Sequence, residues 1–349
     1  MLGNIRKIMN KSIKIAILGA GSFGLSFGYF LDSFGFNISV WGHDNTKIQE
    51  IINTKENKYY LPGFIFSDDI FFSDDLGSVI KDAQYIFVMV PTQHLRELFK
   101  KIIEIINSNQ VIVIGSKGIE IKTMSMVYEI AEDILAGMID NLSYMSGPTF
   151  AREIAGKIPT ACVIASQNNS VVNQVQKVFS NESFRFYTSN DIIGVNIGGA
   201  LKNVVAIASG ITDGLGLGLN SRAAIITRGL AEITRLGVKL GAEPLTFQGL
   251  AGIGDLVLTC TGGLSRNRSV GVRLGKGEGW SEISNSMNMV AEGIYTSKAA
   301  FELSQKLNIE MPITKVVYDI IYEEMNVKDA VSILMGRELK AELYGIKKG

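Results

Sequence analysis

Two lysines, one aspartate and a basic tetrapeptide stand in surroundings that could give them chemistry. Lys202 lies in Ile197-Gly198-Gly199-Ala200-Leu201-Lys202-Asn203-Val204-Val205, where small or apolar residues run nearly all round. A helix of that composition belongs in a core, and an unpaired charge there is costly. Desolvation lowers a lysine's pKa toward neutrality, which suits proton transfer; the bland alternative is a side chain that snorkels to the surface. A buried lysine needs a carboxylate. Asp255 is the best candidate, as the single charge of the apolar stretch Gly252-Ile253-Gly254-Asp255-Leu256-Val257-Leu258-Thr259. Its neighbours Gly252 and Gly254 suggest a close backbone approach. Lys117 follows the apolar run Val111–Gly115, so it either points into a ligand crevice or is an ordinary surface lysine. Ser265-Arg266-Asn267-Arg268 follows Gly262-Gly263. It reads as an anion anchor, since arginine forks and free N–H groups suit phosphate, or as a solvated basic turn.

A glycine-rich turn near the N-terminus says what these groups could work on. Gly19-Ala20-Gly21-Ser22-Phe23-Gly24 follows a β-rich run and opens an apolar helical pattern. Gly19 permits the tight turn, Gly21 lets a pyrophosphate approach the backbone, and Gly24 lets the helix pack on the strand. The helix N-terminus then offers free N–H groups and a positive dipole to phosphates. The turn therefore points to a dinucleotide. NAD and NADP are not separated: Asp44, twenty residues beyond Gly24, has the spacing of a ribose-binding acid, while His43 could face a 2′-phosphate. The loop Val90-Pro91-Thr92 ends a strong strand and is expected to flank the cofactor.

The elements that must hold these residues alternate through the first two-thirds of the chain. Strands are expected at Ile13–Leu18, Asn37–Trp41, Tyr85–Val90, Val111–Gly115, Leu142–Ser146, Thr160–Ala165 and Phe184–Tyr187, with helices such as Ser22–Phe34, Leu95–Ile106 and Val171–Phe179 between them. That is the pattern of a doubly wound, mostly parallel α/β sheet. After about Asn190 the strands stop and small residues accumulate, which predicts an all-α remainder. The expected division is a flexible basic tail at 1–11, a dinucleotide-binding domain at 12–190 and a helical domain at 191–349. Lys plus Arg equals Asp plus Glu at 34 each, which argues against a broad nucleic-acid surface. Two cysteines, Cys162 and Cys260, and two histidines, His43 and His94, give neither a disulfide framework nor a metal-ligand spacing. The longest apolar stretches read as strand-sized, so no membrane span is expected and a cytoplasmic setting is the default.

Taken together, these residues resemble the NAD(P)-dependent glycerol-3-phosphate dehydrogenases of bacterial type, from about Ile13 to Glu338. The resemblance rests on Gly19–Gly24, Trp41-Gly42-His43-Asp44, Ser116-Lys117-Gly118, Ser146-Gly147-Pro148-Thr149-Phe150-Ala151, Gly198–Asn203, Asn220–Arg222 with Arg228-Gly229-Leu230, Gly254-Asp255-Leu256, Ser265–Arg268 and Met311-Pro312-Ile313-Thr314. It implies an N-terminal Rossmann domain, a helical substrate domain and reduction of dihydroxyacetone phosphate by NAD(P)H, leaning to NADPH. The product would be the glycerol backbone of phospholipids. By the same resemblance Ser22, Phe23, His43, Ala151, Val290 and Glu292 match cofactor-contacting positions. Lys117, Gly147, Thr149, Lys202, Asp255, Ser265, Arg266 and Asn267 match substrate positions, Lys117 and Arg266 also lying near the cofactor. Lys202 matches the proton-transfer lysine, and a homodimer is implied. Phe23 departs from the more usual tyrosine or tryptophan, which keeps the ring and removes its polar tip.

Two other readings remain open on the residues alone. A hydroxyacid or ketopantoate reductase on the same architecture also needs a cation for its carboxylate; Ser265–Arg268 favours a phosphate ester. A non-catalytic NADP-binding sensor would have no need of Lys117, Lys202 and Asp255.

Overall fold

The computed structural model describes residues 10–287, 291–342 and 344–345. Short runs rich in Ile, Val and Phe pair into strands because only a sheet covered on both faces can bury such runs completely. They are β1 (Lys14–Leu18), β2 (Asn37–Trp41), the small pair β3 (Glu56–Asn57) and β4 (Leu61–Ile65), then β5 (Phe71–Ser73), β6 (Tyr85–Val88), β7 (Val111–Ile114), β8 (Leu142–Ser146), β9 (Thr160–Ala165) and β10 (Phe184–Ser189). Eight of them form one sheet in the order β10-β9-β8-β7-β6-β1-β2-β5. All its pairs are parallel except β8 with β9. From β1 the chain moves outward to β2 and β5, then returns to β6 on the other side. That reversal opens a crevice beyond the carboxyl ends of β1 and β6.

The sheet is α/β and mostly parallel, as the alternation of runs implied. β3, β4 and β5 were not anticipated, because Pro62, Gly63 and four aspartates interrupt the apolar pattern between residues 61 and 75. One face is filled by a cluster of phenylalanines, with Phe27 tilted on Phe87 at 4.9 Å and edge-on to Phe184 at 5.7 Å between ring centroids. The opposite face buries Ile86, Val88, Ile112 and Ile114 under the helices Leu95–Ile102 and Val127–Ile134. Helix α1 (Ser22–Ser33) lies on β1 and β2, and α2 (Asn45–Thr54) starts after β2 with Asp44 as its N-cap. The short α3 (Ala151–Ala155) follows β8.

Every element after β10 is helical among the described residues. They are α4 (Ile192–Gly214), α5 (Gly218–Lys239), α6 (Asp255–Thr261), α7 (Arg266–Gly275), the helix Trp280–Ser286, α8 (Glu292–Leu307), α9 (Pro312–Tyr322) and α10 (Val327–Met335), with two shorter helical turns at Pro244–Gln248 and Leu250–Gly254. Asp191 caps α4 by accepting from Gly194 N at 2.8 Å, and its other oxygen takes Thr246 Oγ1 at 2.6 Å. The expectation that no apolar stretch exceeds strand length is corrected here. At 23 residues, α4 is long and apolar enough to cross a membrane, but 89% of its most apolar window is buried inside the protein. It is the axis of the helical layer. Its glycines Gly210 and Gly214 cross Gly271 and Gly275 of α7 so closely that a Cβ on Gly210 would lie 2.1 Å from the Arg268 carbonyl oxygen, and one on Gly271 2.0 Å from that of Ile207.

Of the basic tail expected over 1–11, residues 1–9 lie outside the described residues. Asn10 is buried, and its side-chain amide donates to the Phe34 carbonyl at 2.9 Å. Lys11 is exposed and pairs with Asp69.

The tightest glycine contact in the nucleotide half is at Gly24, where a Cβ would fall 1.9 Å from the Gly19 carbonyl oxygen. Gly24→Ala must push α1 off β1. It is expected to lower the unfolding free energy by about 1–3 kcal/mol, read as a lower urea midpoint at unchanged slope.

Candidate active site

The crevice begins at the glycine turn. Gly19 N donates to the Trp41 carbonyl at 2.9 Å, fixing the turn between β1 and β2. Gly19 has φ +126°, and a Cβ there would sit 2.6 Å from the Met89 carbonyl oxygen. Gly21 differs: a Cβ on it would meet nothing within 4 Å. It is the N-cap of α1, in extended conformation and without a side-chain cap, so no side chain at this position stands before the start of the helix. This is the geometry that a pyrophosphate requires, and the residues present fit a dinucleotide. Phe23, in the first turn of α1, stacks on Phe27 at 6.3 Å. The Lys117 Nζ stands 5.0 Å from the Phe23 ring centroid. Ring and ammonium thus meet at the mouth, where the absent polar tip of a tyrosine has no bearing on that contact.

Facing the turn, α4 and α6 bring together the pair that the sequence suggested. Lys202 Nζ donates to Asp255 Oδ1 at 2.5 Å, with Lys202 9% and Asp255 1% exposed. Asp255 is the first residue of α6, directly after a distorted turn over Leu250–Gly254. There Gly252 has φ −100° and ψ −107°, outside the helical region, and a Cβ on it would lie 2.2 Å from the Phe247 carbonyl oxygen. Gly198 completes the approach, since its Cβ would lie 2.2 Å from the Ala251 carbonyl oxygen. Close approach is therefore demanded at Gly252 and Gly198, whereas Gly254 has only ordinary contacts. The second carboxylate oxygen of Asp255, Oδ2, has no hydrogen-bond partner among the described residues.

Lys117 reaches the same place from the end of β7. Its stem passes over Gly199 of α4, where a Cβ would lie 3.4 Å from the lysine Cδ and 2.6 Å from Ser146 Oγ. Burial pushes the Lys117 ammonium down to about 8, and the nearby positive charge of Lys202 pushes in the same direction. Ser146 Oγ is itself buried, with no hydrogen-bond partner among the described residues. Two ammonium groups, one carboxylate and one free hydroxyl thus surround a single point. Thr149 Oγ1 donates to the Gly147 carbonyl at 3.0 Å, and Gly147, at φ +147°, is pressed against Cys162 with 2.8 Å from its Cβ position to the Cys162 Cα. Ala151 opens α3 beside them.

The basic segment starts α7, with Ser265 as N-cap accepting from Arg268 N at 3.2 Å. Arg266 keeps an exposed face, yet desolvation of its guanidinium lowers its pKa, opposed by the negative charge of Glu292. Burial raises the Glu292 carboxyl to about 7, opposed by Arg266. Gly118 packs between Thr92 and Glu292, its Cβ position 2.9 Å from Thr92 Oγ1 and 3.1 Å from Glu292 Oε2. Neither atom has a hydrogen-bond partner among the described residues. Asn267 is committed elsewhere on two sides: it donates to Asn203 Oδ1 and accepts from Gly293 N, both at 2.9 Å. It ties α7 to α4 and α8, and one amide hydrogen is left over. Arg268 turns away from this point and pairs with Asp213.

His43 lies apart from this cluster, exposed beyond β2. Asp44 caps α2 through Lys47 N at 3.3 Å and pairs with Lys47 Nζ at 3.4 Å. Val290 lies outside the described residues. Thr92, Ser146 and Asn203 were not singled out from the sequence. Thr92 had a signal in its place after a strand-ending proline, but the other two had none beyond membership of longer motifs.

A dinucleotide turn facing a buried lysine–aspartate pair across the mouth of a parallel sheet defines a nicotinamide-dependent oxidoreductase. Family models described as NAD-dependent glycerol-3-phosphate dehydrogenase N-terminus and C-terminus match residues 14–172 and 191–332. Relatives named glycerol-3-phosphate dehydrogenase [NAD(P)+] include one from Geobacter sp. (strain M21), 46% identical across 94% of this chain and 98% of its own. Another, from Leptospira biflexa, is 46% identical across 95% and 99%. The crystal structure of glycerol-3-phosphate dehydrogenase from Coxiella burnetii superposes with TM-score 0.89 at 36% identity, covering 93% of this chain and 99% of that one. The chain belongs to the NAD-dependent glycerol-3-phosphate dehydrogenase family. A ketopantoate reductase from Ralstonia eutropha, at 14% identity and TM-score 0.56, shares the fold alone.

Because a Cβ at Gly21 meets open space, Gly21→Ala is expected to cost no more than about 1 kcal/mol of stability while weakening NADPH binding at least about tenfold, equivalent to 1.4 kcal/mol. Denaturant unfolding and fluorescence titration measure the two separately, and unchanged affinity would refute the pyrophosphate assignment. Glu292 gives a pH prediction. With its folded pKa near 7 against an ordinary 4.5, the native state holds a proton that the unfolded chain has lost. Its contribution is full below about 4.5 and disappears as pH rises through about 7. Glu292→Gln should flatten the fall in thermal midpoint over that interval.

Proposed function

We propose that this chain catalyses the reversible reduction of dihydroxyacetone phosphate to sn-glycerol 3-phosphate. The observation that carries the reading is the buried Lys202–Asp255 pair with Lys117 beside it, facing the glycine turn. When bound, the nicotinamide supplies the hydride. Lys202, as the ammonium, donates its proton to the C2 oxygen as charge develops there, and in the reverse direction the neutral amine takes it back. Asp255 holds Nζ in place and offsets its charge. Lys117 adds positive charge near the same oxygen and needs no reorganisation at the moment of reaction. Arg266 and the remaining amide hydrogen of Asn267 hold the phosphate. Unphosphorylated dihydroxyacetone lacks the dianion that Arg266 and Asn267 would hold and is rejected on that ground.

On the same reading Ser22, Phe23, Ala151 and Glu292 line the cofactor, Gly147, Thr149 and Ser265 shape the substrate end, and residues 191–349 form the substrate domain. NADPH is preferred because Asp44 spends its carboxylate on the α2 cap and Lys47, leaving His43 to face a 2′-phosphate. We also infer a homodimer and a cytoplasmic setting, where the buried thiols of Cys162 and Cys260 stay reduced.

Turnover of dihydroxyacetone phosphate should exceed that of a panel of 2- and 3-keto acids, with a kcat/KM ratio above one for NADPH over NADH. Preference for any keto acid would refute the substrate. Lys202→Ala is expected to lower kcat by roughly 10²–10⁴ with NADPH affinity retained, and near-normal turnover would remove Lys202 from proton transfer. As Lys117 loses its proton above about 8, KM for the dianionic substrate should climb, and Lys117→Met should lose that climb.

A further inference from the structure

The helical half holds a second cavity, of about 620 Å³, between α5, α9, α10, residues 337–342 and Tyr344. Its walls are largely apolar, with Leu217, Ala224, Ile225, Val331, Leu334 and Met335 among them. None of the residues that line it belongs to the crevice of Lys117, Lys202 and Asp255. One lining side chain is out of keeping with such walls. Arg235 is only 6% exposed, and its Nε and Nη1 have no hydrogen-bond partner among the described residues. Only Nη2 is engaged, donating to the Glu310 carbonyl at 3.2 Å. Three of the five N–H donors of a permanently charged guanidinium are therefore buried unmet beside a cavity.

Two nearby carboxylates are occupied, while Glu338 and Glu342 line the cavity from exposed positions. Glu232, one turn earlier on α5, accepts from Ile313 N at 2.6 Å and from Thr314 N and Oγ1 at 3.1 Å, so it closes the start of α9. Glu310 takes Arg337 at 3.0 Å and Lys340 at 2.7 Å. Arg228, the other arginine of α5 on the wall, donates to the Glu342 carbonyl at 2.7 Å. Tyr344 lies over the Arg235 guanidinium at 4.9 Å. It screens one face of the group and supplies no acceptor to its edge. Cavities of this size take small organic ligands, with apolar walls giving affinity and a few polar groups giving orientation.

We propose that this cavity is a second ligand site, for a carboxylate on an apolar body, with the carboxylate meeting Arg235 and the body lying among the leucine, isoleucine and valine side chains. The probes are decanoate, decanol and inorganic phosphate, titrated calorimetrically into the full-length protein below the concentration at which decanoate aggregates. Decanoate should bind, and decanol and phosphate at least tenfold more weakly. Arg235→Gln should weaken decanoate at least tenfold, and Arg266→Ala, in the catalytic crevice, should leave it unchanged. Ala224→Trp fills the cavity from an exposed position and should abolish binding, so it decides the matter if Arg235→Gln does not fold. Equal decanoate binding in wild type and Ala224→Trp, or decanol or phosphate matching decanoate, would overturn the proposal.

Discussion

A lysine ammonium held 2.5 Å from a carboxylate inside a protein sets the conditions for much of the rest. Neither charge could be buried alone, because removing either partner strands the other in a low-dielectric interior. Holding them in contact demands that two backbones come unusually close. Gly198 and Gly252 make that approach possible, with no side chain between α4 and the turn that leads into α6. The distorted, non-helical Gly252 is the local cost, and such irregular turns gather at functional sites. The apolar residues that wrap α4 then exclude water, which keeps the pair strong.

The second layer of design is electrostatic. Lys117 lies near a like charge, and that proximity together with burial brings it down to about 8. The carboxylate of Asp255 opposes that shift but does not cancel it. Across the crevice, Glu292 and Arg266 stand in the converse relation, a buried acid pushed up to about 7 beside an arginine held below its ordinary value. At the lysine end, two ammonium groups thus stand against one carboxylate. An anionic ligand beside the lysines would offset that excess. This is the physical reason why a phosphorylated carbonyl compound suits the site better than a neutral one.

Scaffold and site are coupled through glycine in both halves of the chain. In the nucleotide half, Gly19 and Gly24 press α1 onto β1, while Gly21 stays clear for the ligand. In the helical half, Gly210 and Gly214 meet Gly271 and Gly275, which seats α7 against α4. Asn267 then bonds to Asn203, the residue after Lys202. The Ser265–Arg268 segment and Lys202 therefore share one frame. A long apolar helix serves here as the core of a layered protein, and its length and hydropathy alone would equally describe a membrane span.

What the sequence determined by itself is whatever depends on local pattern. Apolar runs of four to six residues fixed the strands of the parallel sheet, since such runs can be buried only there. The spacing of Gly19, Gly21 and Gly24 fixed the phosphate turn, because the chemistry lies in the backbone. The isolation of Lys202 and of Asp255 within apolar stretches was enough to pair them, since each charge needed a partner. The structure alone decided matters that turn on distant segments meeting. The strands between residues 56 and 73 pair against a weak pattern because neighbouring strands supply the hydrogen bonds. Asp44, well spaced for a ribose, is taken by its own helix cap. Asn267 faces Asn203 and Gly293 rather than standing free. Ser146 and Thr92 gain their place only when Gly199 and Gly118 come up against them. Periodicity records which face of an element is buried, and contact between elements far apart in the chain leaves no such record.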